Sequence, residues 1–534
     1  MANSSSVAAV LSDLQKRDIV ARIWRKDHTV WKPSPNEISN RLGWLTVTDL
    51  MGEQVSALAS FADGIRKAGF RKVVLLGMGG ASLGAEVLRQ TFGSTAGYPE
   101  FAVLDSTVPD WVQAVTEDID LAHTLFLVSS KSGGTTETNC LYKYFRNLVE
   151  ETAGKERAGR NFVAITDSGT SLARLAEEER FRRAFLNPSD VGGRYSVLSF
   201  FGLVPAALMG ININELLGRA DRMRKRCVPG VPVQDNPGAW LGATVGAFAS
   251  QGQDKLTLIT SPAISSFGLW LEQLLAESTG KEGKGIIPVV GEPLVEPDYY
   301  GGDRLFVYLR LEGDDNAAID AAVEKIESSG RTVISLKLRD RYDLGAEFFR
   351  WEFATAVCGA ILGINPFDQP DVQSAKDATS RVIQEYRTLG HLPEVEVAGS
   401  LKRLLTEAKK GDYFAIMLYM CPTSEMEEAL AGLRGKVMGR YHIVTTVGYG
   451  PRLLHSTGQL HKGGPNSGLF FQVTTDYKED LSIPGEPYTF AVLADAQALG
   501  DLRTLQSLNR RVARIHLRSG DGEAIKKLTT DELV

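Results

Sequence analysis

Four short apolar runs constrain the fold most: RKVVLLG (71–77), FAVLD (101–105), HTLFLVSS (123–130) and NFVAITD (161–167). Each ends in a glycine, serine or aspartate. Stretches with helical spacing lie between them, such as LGAEVLRQTF (83–92). Runs without polar alternation are buried on both faces, and interleaving with helices predicts a parallel sheet covered on both sides. In such sheets ligands sit beyond the carboxyl ends of the strands, so the loops directly after these runs are where function is sought.

The plan recurs. After QDNPG come an alanine-rich helix (238–250), a strand KLTLITS (255–261) and a helix over 265–279, then strands GIIPVV, DRLFVYLRL and TVISLKL. A long helix, 344–364, breaks at Asn365-Pro366. Beyond about 391, YFAIMLYMCPTSEMEEALAGL and YTFAVLADAQALGDLRTLQSL each read as an apolar strand followed by an acidic helix. With 534 residues, two or three α/β units are expected. The division predicted is an arm (1–50) carrying Trp24, Trp31 and Trp44, a first α/β domain (51–230), a second (231–390) and a C-terminal α/β extension (391–534).

A net charge of −6 argues against nucleic acid or anionic membrane as a partner. Cys140, Cys227, Cys358 and Cys421 are scattered singly and form no metal-ligand spacing, so buried reduced thiols are expected and no metal. The first residues lack the apolar core of a signal peptide, and no uncharged apolar run reaches about 18 residues, which predicts a cytoplasmic protein.

The most informative loop is VSSKSGGTTET (128–138), between a strand and a helix starting near Thr136. Hydroxyls of Ser130, Ser132 and Thr135, the Lys131 ammonium and free N–H groups at a helix start suit a phosphate dianion, and Gly133-Gly134 lets backbone approach it. GMGGASLG (77–84) is less specific. It half matches a dinucleotide fingerprint, with Asp105 ending the next strand, but Ser82 stands at the third glycine position. A nicotinamide-dependent oxidoreductase therefore stays open as an alternative.

Three segments offer groups that could move a proton. VGGRYSVLS (191–199) puts Arg194 on a glycine-flanked loop. LLAESTGK (274–281) puts Glu277 at the end of an apolar helix, where the dipole opposes a carboxylate and Trp270, Leu271, Leu274 and Leu275 predict a raised proton affinity. NPFDQPDVQSAK (365–376) presents Gln369 on a proline-stiffened turn and Lys376 just inside a helix.

Taken together, GMGGASLG, SSKSGGTTET, GGRYSVLSFFGL, ESTGKEGKG and FDQPDVQSAK, in this order between about 70 and 380, resemble the phosphoglucose isomerase family. RIWRKDHTVW and GYGPRLLHSTGQLHKGG look like the isomerase half of bifunctional transaldolase–phosphoglucose isomerase proteins; nothing resembles the transaldolase half. The resemblance implies an α/β fold of two doubly wound, flavodoxin-like sugar-isomerase (SIS) domains, here with a C-terminal α/β extension. It implies interconversion of glucose 6-phosphate and fructose 6-phosphate through a cis-enediol, no cofactor, no metal, and a homodimer. By the same resemblance Glu277 is the proton-shuttling base, Arg194 the enediolate stabiliser and Lys376 a ring-opening and orienting group. Ser130, Lys131, Ser132, Thr135 and Gln369 take the phosphate. Ala81 departs from the family's serine, leaving the Gly80 N–H or the Ser82 hydroxyl to contact substrate.

The family's ring-opening histidine lies between the glutamate and the lysine and comes from the neighbouring subunit. Here the seven histidines are at 28, 123, 391, 442, 455, 461 and 516, none of them between Glu277 and Lys376. The family's HSxGQ pattern stands downstream as His455–Gln459. His455 is therefore expected to open the ring from a segment folded back on the second domain, with His461 as second choice. A non-catalytic sugar-phosphate-binding regulator is the remaining alternative.

Overall fold

The computed structural model describes residues 2–394 and 399–533. It contains three parallel sheets. The first holds β1 (Lys72–Gly77), β2 (Glu100–Leu104), β3 (Thr124–Ser129), β4 (Phe162–Asp167) and β5 (Arg183–Asn187), in the order β2-β1-β3-β4-β5. The second holds β6 (Lys255–Thr260), β7 (Ile287–Val289), β8 (Arg304–Leu311) and β9 (Val333–Leu338), in the order β7-β6-β8-β9. The third holds β10 (Tyr413–Tyr419), β11 (Val444–Tyr449), β12 (Gly468–Thr475) and β13 (Arg511–Leu517), in the order β11-β10-β12-β13. Each winds outward in both directions from its first strand, the doubly wound arrangement of flavodoxin-like domains.

The apolar runs explain the layers. Successive residues of a strand face opposite sides. Val73, Leu75, Leu125, Leu127, Val163 and Ile165 enter one core, while Val74, Leu76, Phe126, Val128, Phe162 and Ala164 enter another. Both faces are buried, as unbroken apolar strands require.

The C-terminal region differs from the sequence expectation in one element. YTFAVL forms no strand: Phe490–Ser507 is one helix, started by the Thr489 hydroxyl accepting from the Val492 N–H. Its apolar residues serve a helix face instead, with Phe490 and Leu493 packing against the first sheet's layer beside Phe126 and Phe145. The third sheet also leans on the second domain, where Tyr413, Ala415 and Met417 share a core with Ala276, Ile287 and Val289. The third unit is thus wedged against both of the others.

The arm is helical at Ala2–Lys16 and Ile19–Trp24 and packs by its tryptophans. Trp24 donates to the Cys227 carbonyl at 2.7 Å, and Trp31 donates to Ala356 O at 2.7 Å. Trp44 stacks on Tyr195 at 5.3 Å. Among the described residues, no helix is long and apolar enough to cross a membrane.

The helix Gly458–Gly463 is joined to Phe490–Ser507 by a buried ion pair, Lys462 Nζ to Asp501 Oδ1 at 2.6 Å, each side chain 1% exposed. Removing one partner leaves a buried charge unpaired, whereas an apolar pair of similar volume avoids that cost. Lys462→Met should therefore destabilise by roughly 3–5 kcal/mol, and Lys462→Met with Asp501→Leu should recover most of it. Urea unfolding midpoints check this; a double variant as unstable as the single would assign the loss to packing.

Candidate active site

The order of the first sheet reverses beside β1, so the loops after β1 and β3 diverge and leave a crevice. A cleft of about 340 Å³ opens there. Its wall includes Gly80 from the loop after β1 and Ser130, Lys131, Ser132 and Thr135 from the loop after β3. The two loops are pinned together by the Ser129 hydroxyl donating to Ala81 O at 2.8 Å. Gly79 is left-handed, with φ of 56°, and a Cβ there would lie 2.8 Å from the His455 carbonyl. At Gly80 a Cβ would lie 2.1 Å from Gly193 O, so only glycine lets the loop meet the Arg194 loop.

In the hydroxyl loop, Ser130 Oγ and Thr135 Oγ1 are 2.9 Å apart, and Thr135 precedes the helix Thr136–Ala153 without bonding its N–H groups. Lys131 is ion-paired with Asp167 at the end of β4 and donates to Ser189 O. Ser82 is placed elsewhere. It is fully buried and its hydroxyl bonds Gly79 O and Asp105, so it does not line the cleft and the expected substrate contact is not available to it. The reason is local: Ser82 opens the helix Leu83–Phe92 and points back into the turn.

Arg194 is buried, with four of its five N–H groups donated to protein oxygens. Its Nε donates to Ser278 Oγ at 2.8 Å, one terminal nitrogen to Gln369 Oε1 at 2.9 Å, and the other to the carbonyls of Pro366 and Asp368 at 2.8 Å each. It lies 3.5 Å from Glu277 Oε2. The helix Phe267–Thr279 turns Trp270, Leu271, Leu274 and Leu275 into the core and Glu277 toward the cleft. The carboxylate therefore meets a cation and the Gln273 amide, at 3.1 Å, rather than the apolar wall read from the sequence. Gln369 and Lys376 line the same cleft.

The HSTGQ segment folds back onto its own chain. His455 lines the cleft and its Nε2 lies 2.8 Å from Glu137 Oε1. Gln459 fastens the segment to the second domain. Its amide donates to Gly280 O at 2.9 Å and Asp371 Oδ2 at 2.6 Å, and its oxygen accepts from the Asp371 N–H at 2.9 Å. His461 goes into the core beside Phe470, 4.9 Å between rings, and burial holds its imidazole well below its ordinary value. The choice between the two histidines is thus geometric.

Sequence reasoning missed four side chains. Glu137 sits in the quoted TTET, and its position one residue into the helix was the available signal. Gln273 lies four residues before Glu277, on the same helix face. Gln497 gave no signal; it donates to Glu137 at 2.6 Å and accepts from Thr107 at 2.7 Å. Arg41, from the arm, gave none either.

Asp105, the carboxylate a dinucleotide would require, is fully buried and bound by Arg452 through two hydrogen bonds of 2.7 and 2.8 Å. It also accepts from the Ser82 hydroxyl and does not line the cleft. Among the described residues no group of three or more His, Cys, Asp and Glu side chains is placed to hold a metal ion.

A hydroxyl loop at a switch point, facing a carboxylate, a buried guanidinium and an imidazole, defines a site for a small anionic molecule with exchangeable protons. Comparison with known proteins narrows it. The family model described as Phosphoglucose isomerase matches residues 47–286. The glucose-6-phosphate isomerase of Staphylococcus saprophyticus is 28% identical over 406 residues, covering 68% of this chain and 90% of that protein. That of Staphylococcus aureus is 29% identical over 409 residues, with the same coverage. Among solved structures, a hypothetical protein from Thermus thermophilus superposes with a TM-score of 0.61 at 23% identity, over 72% of this chain and 97% of that one. A glucose-6-phosphate isomerase from Chlamydia trachomatis gives 0.60 at 19%, over 73% and 87%. The fold is that of these two solved structures, and residues 47–286 are the part that matches the phosphoglucose isomerase model. The match ends before Gln369, Lys376 and His455.

Burial pushes the Glu137 carboxyl up, but the charge of His455 and its hydrogen bond outweigh it and hold the group below its ordinary 4.5. A depressed carboxylate stabilises the fold above its unfolded value and loses that contribution as pH falls through the folded one. Glu137→Gln should be less stable than the parent near pH 7, with the gap closing below pH 4.5. Urea midpoints from about pH 7 to about pH 3 test this; a gap independent of pH would deny Glu137 its charge.

Proposed function

We propose that this chain is an aldose–ketose isomerase interconverting glucose 6-phosphate and fructose 6-phosphate through a cis-enediol. The observation that carries the reading is the approach of the Glu277 carboxylate to a buried Arg194, held by four protein oxygens, in the cleft that His455 also lines.

The phosphate sits on Ser130, Lys131, Ser132 and Thr135, with Gln369 at the same wall and the Gly80 N–H turned to substrate. His455, backed by Glu137, donates a proton to the ring oxygen, and Lys376 assists in opening the ring and orienting the chain. Glu277 then takes the C2 proton of the aldose and returns it to C1, while the C2 hydroxyl proton passes to the C1 oxygen. Enediolate charge develops on the C1 and C2 oxygens, where Arg194 holds it without having to move. A guanidinium already fixed by four protein oxygens needs no reorganisation as charge appears, which is what favours a charge-stabilising part for it. In this reading the sugar carries the redox change within itself, so no nicotinamide is involved. The chain acts as a homodimer, as the resemblance implies.

The reading is tested by a coupled assay on fructose 6-phosphate with and without EDTA; activity abolished by the chelator would replace Arg194 with a metal. Glu277→Gln keeps the hydrogen bonding and cannot take a proton. Its kcat should fall by about 10²–10⁴-fold while a phosphorylated sugar acid still binds, and a loss confined to KM would reduce Glu277 to a sugar contact.

Imidazole exchanges protons near neutral pH, as ring opening demands. His455→Ala should therefore impair turnover of the cyclic sugar more than that of an open-chain substrate, and His461→Ala should do much less. Circular dichroism confirms folding of both. Full activity in His455→Ala would leave ring opening to Lys376 or water.

A further inference from the structure

The arm brings to the cleft a cation that the mechanism above leaves unused. Arg41 lines it beside Ser130, Lys131 and Ser132. Its position is built, because the arm is stitched to the loop leading into Arg194. Leu42 pairs with Val191 in an antiparallel bridge, the Gly43 N–H donates to Asp190 O at 2.8 Å, and Lys26 lies 3.6 Å from the Asp190 carboxylate. The Arg41 stem rests over Gly192, where a Cβ would be 3.7 Å from its Cδ.

The charge balance at this end of the cleft explains why a second cation matters. A phosphate monoester carries roughly −1.5 to −2 near neutral pH. Lys131, the sole cation of the hydroxyl loop, is already paired with Asp167. Burial pushes Asp167 up, against the pull of Lys131 and, more weakly, of Arg41, which places the guanidinium's field at this same spot. The present partners of Arg41 are Glu37, at 2.7 Å, and the Asn40 carbonyl. The Glu37 side chain is 44% exposed and that of Arg41 19%, so solvent screens the pair from the glutamate side and weakens it. A planar guanidinium bonds a phosphate through two parallel N–H groups, more strongly than it bonds an exposed carboxylate.

We propose that Arg41 is a phosphate ligand supplied by the N-terminal arm, exchanging Glu37 for the dianion when a phosphorylated sugar enters. It makes the arm, which begins before the matched residues 47–286, part of substrate discrimination. The inference rests on the sugar-phosphate reading of the cleft.

The experiment is calorimetric titration of 6-phosphogluconate and of gluconate into the full chain, its Arg41→Ala, Arg41→Lys and Glu37→Gln variants, and Ser130→Ala. Arg41→Ala should weaken 6-phosphogluconate by roughly 10–100-fold, leave gluconate unchanged, and be partly rescued by Arg41→Lys. Glu37→Gln should bind at least as tightly as the parent. Unchanged 6-phosphogluconate affinity in Arg41→Ala, while Ser130→Ala loses it, would overturn the part given to Arg41 and keep the phosphate cleft. Equal losses in Arg41→Ala and Glu37→Gln, or equal losses for both ligands, would make the arm contact structural. A parent chain that binds both ligands alike would overturn the sugar-phosphate reading and this inference with it.

Discussion

Arg194 is a buried cation that, among the described residues, donates to no carboxylate; oxygens from two separate segments hold it instead. A charge taken out of water is tolerated only when its donors are satisfied. Ser278 from the helix Phe267–Thr279 and the Pro366–Gln369 turn supply the acceptors. Satisfying one guanidinium therefore forces a loop of the first domain, a helix of the second and the turn carrying Gln369 into one arrangement. Lys281 reinforces it, with Nζ 2.8 Å from Asn365 O and 2.6 Å from the Asp368 carboxylate. Burial and the nearby Arg194 draw the Lys281 ammonium down to about 8. Two buried cations thus grip the same turn, and the cleft inherits its shape from that grip.

The third unit works by a different device. It shares apolar clusters with the others, through Phe490 and Leu493 on one side and Tyr413, Ala415 and Met417 on the other. Apolar burial holds a domain in place but does not choose register well. The polar bonds do that: Gln459 to Gly280 and Asp371, Arg452 to Asp105, and Gln497 to Glu137. Each crosses between units at a point within a few residues of a cleft side chain. Together they hold His455 on a rigid support and occupy the carboxylate that could otherwise have served a dinucleotide.

The arm completes the enclosure. Three tryptophans anchor it through their indole nitrogens or by stacking, and from that anchorage Arg41 reaches the cleft beside Ser130 and Lys131. Side chains that are large, rigid and able to donate one hydrogen bond suit this task, since little conformational freedom is lost on fixing them.

Much was legible in the chain itself. Unbroken apolar runs interleaved with helical stretches suit a parallel sheet covered on both faces, so the first two sheets and the importance of the loops after β1 and β3 follow from local composition. Ser130, Lys131, Ser132 and Thr135 stood out by residue type, whereas the parts of Gly80, Arg194, Glu277, Gln369 and Lys376 came from the resemblance of five short segments to one family; all of them line one cleft. Where the sequence reading failed, either packing between distant segments or the geometry of a local turn had decided. YTFAVL has strand composition yet forms a helix because the first domain offers a face for it. Ser82 looks like an accessible hydroxyl but is consumed by its own turn and Asp105. The apolar neighbours of Glu277 face the core, not its carboxylate. His455 and His461 are six residues apart in similar surroundings, and only packing puts one against Glu137 and the other against Phe470. Residue type and spacing determine which elements form and which loops end strands; which side chains meet across about 80 to 390 residues of chain is a matter of how the three sheets and their helices pack on one another, and only the tertiary structure decides it.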